Sequence, residues 1–399
     1  MFPTLYHFFY DIFGAAPGFL KVINTFGFFV ALSIGGAFWA MQTELKRLTL
    51  DGKLKGVDVI QTVGKPFGIP YYVSQAFFGF IFGYKIIYLL WESQGGANPQ
   101  ELIFSLDGSW LWGIVMMLAI LGYSYYTDKK QQLPEPTTKT IRTDASVHMG
   151  TITTIALLSG FLGAKVFHIL ENLNHFSLSY VMDNLFSTGG WTYYGGLICG
   201  AAGVLIYCHR KGLNVLSILD SGAGAMMLAY GLGRFGCHFS GDGDWGIANP
   251  SPKPFAMPDW LWSYSYPNNV LGMEGFSHEG MKKIDGCTGD FCYELIDPVW
   301  PTPIYEASMA IGLFLIIWFV LRKRVSKRGN LFAFYMLFAG IERFIIEFIR
   351  EHGESVYKAF GVTFSQAQMI SLILIFGAIA WFVFGNRIRP KTETAQNLE

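Results

Sequence analysis

Residues 216–239 read LSILDSGAGAMMLAYGLGRFGCHF, and the chain continues as SGDGDWG to residue 246. The first part is long and apolar enough to cross a hydrocarbon core as one helix, which takes about 20 residues. Its glycines let neighbouring helix backbones approach closely in lipid. Asp220 lies early in the run, where a carboxylate needs a donor partner, and it reads as structural. Arg234 ends the run and feeds a glycine-rich turn that carries Asp242 and Asp244, with His238 just before it.

Eight more runs have the same character, at 22–41, 70–91, 109–126, 148–170, 193–208, 303–321, 331–350 and 367–385. The whole composition agrees: of 399 residues 52% are hydrophobic, 17% aromatic and only 15% charged. A soluble enzyme carries about 25% charged residues. With a net charge of zero, nothing points to nucleic acid as a partner. The expected fold is an all-α polytopic membrane protein.

Lysine and arginine alternate between the connections. Lys46, Arg47, Lys53 and Lys55 follow the first span, and residues 92–108 have none. Lys129, Lys130, Lys139 and Arg142 follow the third, residues 171–192 have none, and Arg210 and Lys211 come next. Arg322, Lys323 and Arg324 lie on the same side, as do Arg387, Arg389 and Lys391. This pattern predicts an outer N-terminal segment (1–21) and a cytoplasmic tail (386–399). Residues 1–18 lack the basic leader of a signal peptide. Residues 240–302, rich in Gly, Pro, Trp and Tyr, form a small head on the outer face. Within it Cys287 and Cys292 are candidates for a disulfide in an oxidising compartment, or else two free thiols. Cys199, Cys208 and Cys237 read as buried thiols. Residues 81–90 and 161–170 are alike, each with a lysine (Lys85, Lys165) soon after a glycine. That is either a duplicated helix or a chance likeness between apolar helices.

Charged groups inside spans default to functional hypotheses. Arg234 offers a planar fork of donors for a phosphate, and the glycines after it free backbone N–H groups for an anion. The alternative is an arginine that snorkels or pairs with an aspartate to fasten the head. Arg343, Glu347 and Arg350 are spaced to share one helix face, either as a locking ion pair or with Glu347 holding Arg343 for a phosphate. Tyr194 beside Gly195 and Gly196 is an interfacial anchor or a phenol near a bound lipid. Lys165 snorkels or adds positive potential to an anionic-lipid site. His168 and His238 are possible bases. No nucleotide loop, zinc signature or serine-hydrolase elbow is visible. Neither a metal nor an organic cofactor is implied.

At these residues the chain resembles the bacterial prolipoprotein diacylglyceryl transferases. Phe26-Gly27 is similar to the family's Tyr-Gly, Gly163-Ala164-Lys165 to Gly-Ala-Arg, and Tyr194-Gly195-Gly196-Leu197-Ile198 to His-Gly-Gly-Leu-Ile. Residues 233–246 resemble Gly-Arg-x-Gly-Asn … Asn-Gly-Glu … Gly. Trp300-Pro301-Thr302-Pro303-Ile304-Tyr305-Glu306 resembles His-Pro-Thr-Gln-Leu-Tyr-Glu. Gly340-Ile341-Glu342-Arg343-Phe344 with Glu347 and Arg350 resembles the late Gly-x-x-Arg-Phe … Glu … Arg helix, and Gln368-Met369-Ile370-Ser371 a short run before the last span.

The resemblance implies a seven-span core (22–52, 147–239 and 303–385) with two more spans inserted at 53–146. It implies transfer of the diacylglyceryl group of phosphatidylglycerol to the lipobox cysteine of a prolipoprotein signal peptide, in the bacterial inner membrane, with membrane lipids around it. Glycerol phosphate is released and a thioether remains. Arg234 and Arg343 would meet the phosphate, Glu347 would orient Arg343, and Asp242 or Asp244 would take the family's acidic position. Gly195, Gly196, Gly236, Gly246, Tyr305, Glu306, Arg350 and Lys165 would line the lipid site. Four positions depart from the pattern: Tyr194 replaces a histidine, Cys237 an asparagine, Phe26 a tyrosine and Ala339 a tyrosine. A phenol, with a pKa of about 10, is a poor base near neutrality. The proton then goes to His238 or an aspartate, or the arginine field eases its loss from the thiol. The alternative is a divergent paralogue that binds or moves lipid.

Overall fold

A computed structural model describes residues 1–92, 105–172, 177–186, 190–273, 278–351, 356–359 and 362–388. The expected tail from residue 389 onward and parts of the outer arm (173–176, 187–189) lie outside the described residues. The described chain is mainly helical and contains seven helices long and apolar enough to cross a membrane. Their outward side chains are apolar, as with Leu158, Phe319, Ile373 and Phe376, all more than 60% exposed. A soluble bundle puts such residues inside; a lipid-facing one does not. The chain is a multi-pass membrane protein.

The chain forms two compact units. One holds residues 1–4, 24–48 and 214–399. Its helices are α1 (Thr25–Leu50), α2 (Val215–Ser240), α3 (Thr302–Leu315, running on to Leu321 with π-helical turns), α4 (Asn330–Ile346) and α5 (Gln366–Ile388). Helix α2 packs on α3 and α4, and α5 packs on α4. The packed seam combines small and large residues: Ala40, Ala223, Ala225 and Ala310 fit among Met227, Phe314, Ile317, Trp318 and Leu331. A Cβ on Gly340 would lie 2.9 Å from the Ser371 carbonyl oxygen, so α4 and α5 meet there backbone to backbone.

Asp220 has the structural role expected of it. Its carboxylate accepts the backbone N–H groups of Gly329 (2.7 Å) and Phe332 (2.9 Å), at the start of α4. The carboxylate caps a helix other than its own, satisfying donors that the helix start leaves orphaned.

The predicted span 331–350 requires correction. Helix α4 stops at Ile346, and residues 347–349 turn. The Ile349 carbonyl accepts the N–H of Ile247 at 3.0 Å, and Arg350 forms an antiparallel bridge with Gly246. Contact with the head outcompetes a further helical turn. Arg343, Glu347 and Arg350 are therefore not one helical stripe.

The head (241–301) is built on the buried side chains of Trp245, Tyr266, Leu295 and Val299. Two short antiparallel strands, Met281–Lys283 and Tyr293–Leu295, flank a Cys287–Cys292 disulfide with a Cα–Cα separation of 5.6 Å.

The second unit holds residues 5–23 and 49–213. Helices Met149–Glu171 and Tyr193–Arg210 cross tightly: a Cβ on Gly163 would lie 2.5 Å from the Gly195 carbonyl, and one on Gly195 2.4 Å from the Phe167 Cβ. Gly195 and Gly196 are thus occupied with helix contact. The pair Ile69–Ile81 and Trp110–Gln131 does the same, since a Cβ on Gly79 would lie 3.2 Å from the Met117 Cα. Lys85 donates to the Asp107 carbonyl at 2.7 Å and Lys165 to the Asn184 carbonyl at 3.0 Å. The two lysines of the similar segments thus share one arrangement, each tying its helix to the connection that follows it. An exposed two-stranded ribbon, Val57–Val63 paired with Thr137–Thr143, belongs to the same unit.

Replacing Asp220 by Ala removes charge-assisted hydrogen bonds worth about 1.5–3 kcal/mol each. Thermal unfolding in detergent is expected to fall by several degrees, with the helical circular dichroism retained below the transition.

Candidate active site

The site is assembled around one side chain. Glu306, in the second turn of α3, is fully buried. A buried carboxylate must be paired, and Glu306 meets three arginines. Arg234 Nε lies 2.9 Å from Oε2, Arg343 Nη1 3.2 Å from Oε1, and Arg350 Nη1 3.1 Å from Oε1. The arginines come from α2, from α4 and from the turn after α4. The two guanidinium groups singled out in the sequence share one carboxylate.

Two further carboxylates complete the cluster. Glu347 Oε2 pairs with Arg343 Nη2 at 2.8 Å, the i,i+4 contact read from the sequence. Asp244 binds Arg234 Nη1 through one oxygen and Arg350 Nη2 through the other, the latter at 2.6 Å. Burial pushes the Asp244 carboxyl up, but Arg234 and Arg350 outweigh it and hold it below the usual carboxylate range. Asp242, two residues earlier, goes the other way: burial raises it, and the charge of Asp244 adds to the effect. Its Oδ1 accepts the Asp244 N–H at 3.3 Å.

The turn between them needs its glycines. Gly241 (φ +66°) ends α2 in the left-handed conformation, and Gly243 has φ +100°. The Thr302 hydroxyl donates to the Asp244 carbonyl at 3.1 Å and pins the turn to α3. Gly246 has no room for a side chain, since a Cβ would lie 2.2 Å from the Ile349 carbonyl. Its role is to let the Arg350 segment close on the head. Gly236 likewise packs on α1, where a Cβ would lie 2.9 Å from the Phe29 Cβ. The Tyr305 hydroxyl donates to the Leu261 carbonyl and ties α3 to the head.

Other expected groups have local partners of their own. His238 is buried, with Nδ1 3.3 Å from the Tyr266 hydroxyl, among the rings of Phe239, Trp260, Tyr264 and Tyr266. Tyr194, Gly195, Gly196 and Lys165 belong to the second unit. There the Tyr194 ring packs edge-on to Tyr193, and Lys165 is buried with its Nζ 4.4 Å from the Trp191 ring centroid.

Sequence reasoning missed Ser365 and Tyr230. The Ser365 hydroxyl donates to Glu347 at 2.6 Å and accepts the Gln368 N–H, while Gln368 returns a bond to the Ser365 N–H. This is a capping box, and Ser-x-x-Gln ahead of an apolar run was the available signal. Tyr230, one helical turn before Arg234, places its ring 5.4 Å from that guanidinium. Cys237 Sγ lies 3.7 Å from Asp244 and 4.0 Å from Arg234. Among the described residues, Cys237, Asp242 and Asp244 bring ligand-type atoms within 4.8 Å of one another. The two arginines on Asp244 oppose a cation there.

The donor count shows what remains free. Among the described residues, Arg234 Nη2, Arg343 Nε and Arg350 Nε have no protein partner. Three guanidinium groups are thus held in place by carboxylates while keeping N–H donors for an oxyanion.

Comparison with known proteins gives a consistent result. The model of the prolipoprotein diacylglyceryl transferase family matches residues 101–384. The phosphatidylglycerol–prolipoprotein diacylglyceryl transferase of Leptospira interrogans is 24% identical, over 72% of this chain and 92% of the relative. Those of Lactobacillus gasseri and Clostridium tetani are 30% and 26% identical, over 58% and 71% of this chain and 73% and 96% of theirs. With a match across most of its length and the quoted motifs in order, the chain belongs to the prolipoprotein diacylglyceryl transferase family, a family of membrane transferases that act in lipoprotein biosynthesis.

Proposed function

We propose that this chain transfers the diacylglyceryl group of phosphatidylglycerol to the lipobox cysteine of prolipoproteins, in a bacterial inner membrane. The charge pattern supports an outer N-terminus and a cytoplasmic C-terminus, with the arginine cluster at the outer leaflet. The observation that carries the reading is the convergence of Arg234, Arg343 and Arg350 on Glu306.

The chemistry follows from charge. The cysteine sulfur attacks the glyceryl carbon that bears the phosphate. The S–C bond forms, the C–O bond breaks, and glycerol phosphate departs with the electron pair. Negative charge grows on the leaving phosphate, and preorganised guanidinium donors lower the barrier by meeting it. The thiol proton must leave, because the thiolate is the competent nucleophile. Of the two aspartates, Asp242 suits this step better. Burial raises its proton affinity, whereas Asp244 is clamped by arginines. Glu347 positions Arg343, and Ser365 positions Glu347.

The direct test is incubation of the purified chain with phosphatidylglycerol and a lipobox peptide, followed by mass spectrometry for a gain of one diacylglyceryl group. Arg234→Ala and Arg343→Ala are each expected to lower turnover by about 10²–10³, the loss typical of removing one donor to a developing oxyanion. No product under conditions in which a Clostridium tetani relative gives one would favour the reading of a divergent lipid-binding protein.

A base works only when deprotonated, and the raised proton affinity of Asp242 moves its acid limb above the ordinary carboxylate range. Turnover is expected to fall as pH drops through that limb. Asp242→Asn should abolish the limb and lower the rate by about 10²–10⁴. An unchanged pH profile in that variant excludes Asp242 as the base.

A further inference from the structure

The three carboxylates of the cluster are not equally accessible. Glu306 is closed off and the Glu347 side chain is 6% exposed, but that of Asp244 is 39% exposed. Asp244 is also the one whose two oxygens serve two arginines, Arg234 and Arg350. It presents to them the pair of oxygens that a phosphate ester would present. Its backbone is pinned by the Thr302 hydroxyl, so the carboxylate can leave by side-chain rotation without opening the turn.

Three guanidinium groups face three carboxylates in the ion-paired cluster. Withdrawing Asp244 leaves one positive charge, which a phosphodiester monoanion restores to balance.

We propose that Asp244 is a resident anion that holds Arg234 and Arg350 in place and exchanges with the oxygens of a phosphate ester when one binds. Asp244 is then a positioning residue that sets substrate affinity and product release. A phosphate monoester has a second pKa of about 6, so the product carries an added negative charge. Product and returning Asp244 together exceed the charge the arginines can balance, and the product is expelled. That the ester is phosphatidylglycerol rests on the function proposed above; the exchange itself requires only a phosphate ester. A purely structural ion pair has the opposite consequence, since its loss would loosen the arginines and weaken anion binding.

The test uses the full chain in nanodiscs. Glycerol phosphate is titrated calorimetrically into wild type, Asp244→Asn and Asp244→Glu without acceptor peptide, and turnover is measured against phosphatidylglycerol. Asp244→Asn is expected to bind glycerol phosphate about tenfold tighter, a change of about 1.4 kcal/mol. Its KM for phosphatidylglycerol should fall, and its kcat should fall with it as product release slows. Asp244→Glu keeps the competing charge and should stay near wild type. Unchanged or weaker binding in Asp244→Asn overturns the proposal, as does equal tightening in both variants. Should Asp244→Asn fail to fold, infrared difference spectra of wild type with and without glycerol phosphate decide: a shifted carboxylate stretch supports the exchange, and no shift overturns it. Tighter binding in Asp244→Asn with no peptide modified by any form would leave the exchange standing and remove the transferase reading.

Discussion

A carboxylate with no access to water holds three arginines in one place, and the candidate site is organised by that constraint. Glu306 is ion-paired with each of Arg234, Arg343 and Arg350. Without it three guanidinium groups would repel one another across a short distance in a medium of low dielectric constant, where such terms are large. With it they sit close together and still keep N–H groups to offer. Removing one partner of a buried ion pair typically costs about 3–5 kcal/mol, because the remaining charges lose their compensation. A single acidic side chain thereby permits a concentration of positive charge that the helices could not otherwise hold.

The surrounding structure serves this cluster through backbone contacts as much as through side chains. Thr302 fastens the turn that carries Asp244, and Gly246 allows the segment bearing Arg350 to close on the head. The box formed by Ser365 and Gln368 starts α5 and also supplies the hydroxyl that bonds Glu347. Each device has a local reason to exist, as a cap, a turn or a close approach. Each also removes freedom from an arginine or from its partner, and preorganisation of this kind makes electrostatic stabilisation effective.

Departures from the family pattern fall within this frame. Cys237, where the motif that the sequence resembles would have asparagine, touches both Arg234 and Asp244 through sulfur. A thiol is a weak donor and a weak acceptor, so it leaves the ion pair to set the geometry. Phe26 lies beside Gly236, where α1 and α2 approach.

Much of the architecture was legible from residue order alone. Long apolar runs can satisfy their backbone groups in lipid only as helices, so the helical, membrane-spanning character of the chain was readable, as was the need of Asp220 for a donor partner. The Arg343–Glu347 contact was readable too, because it is a local i,i+4 relation. Tertiary structure alone decided that α4 ends at Ile346, because the competing bond runs from Ile247 to Ile349, about a hundred residues away in the chain. It also decided that Glu306 is the shared partner of the arginines, that Gly195 and Gly196 serve helix contact, and that His238 lies among aromatic rings. Local patterns report which backbone a segment prefers; which distant side chains neutralise one another depends on packing in three dimensions, and a linear sequence does not encode that distance in its spacing.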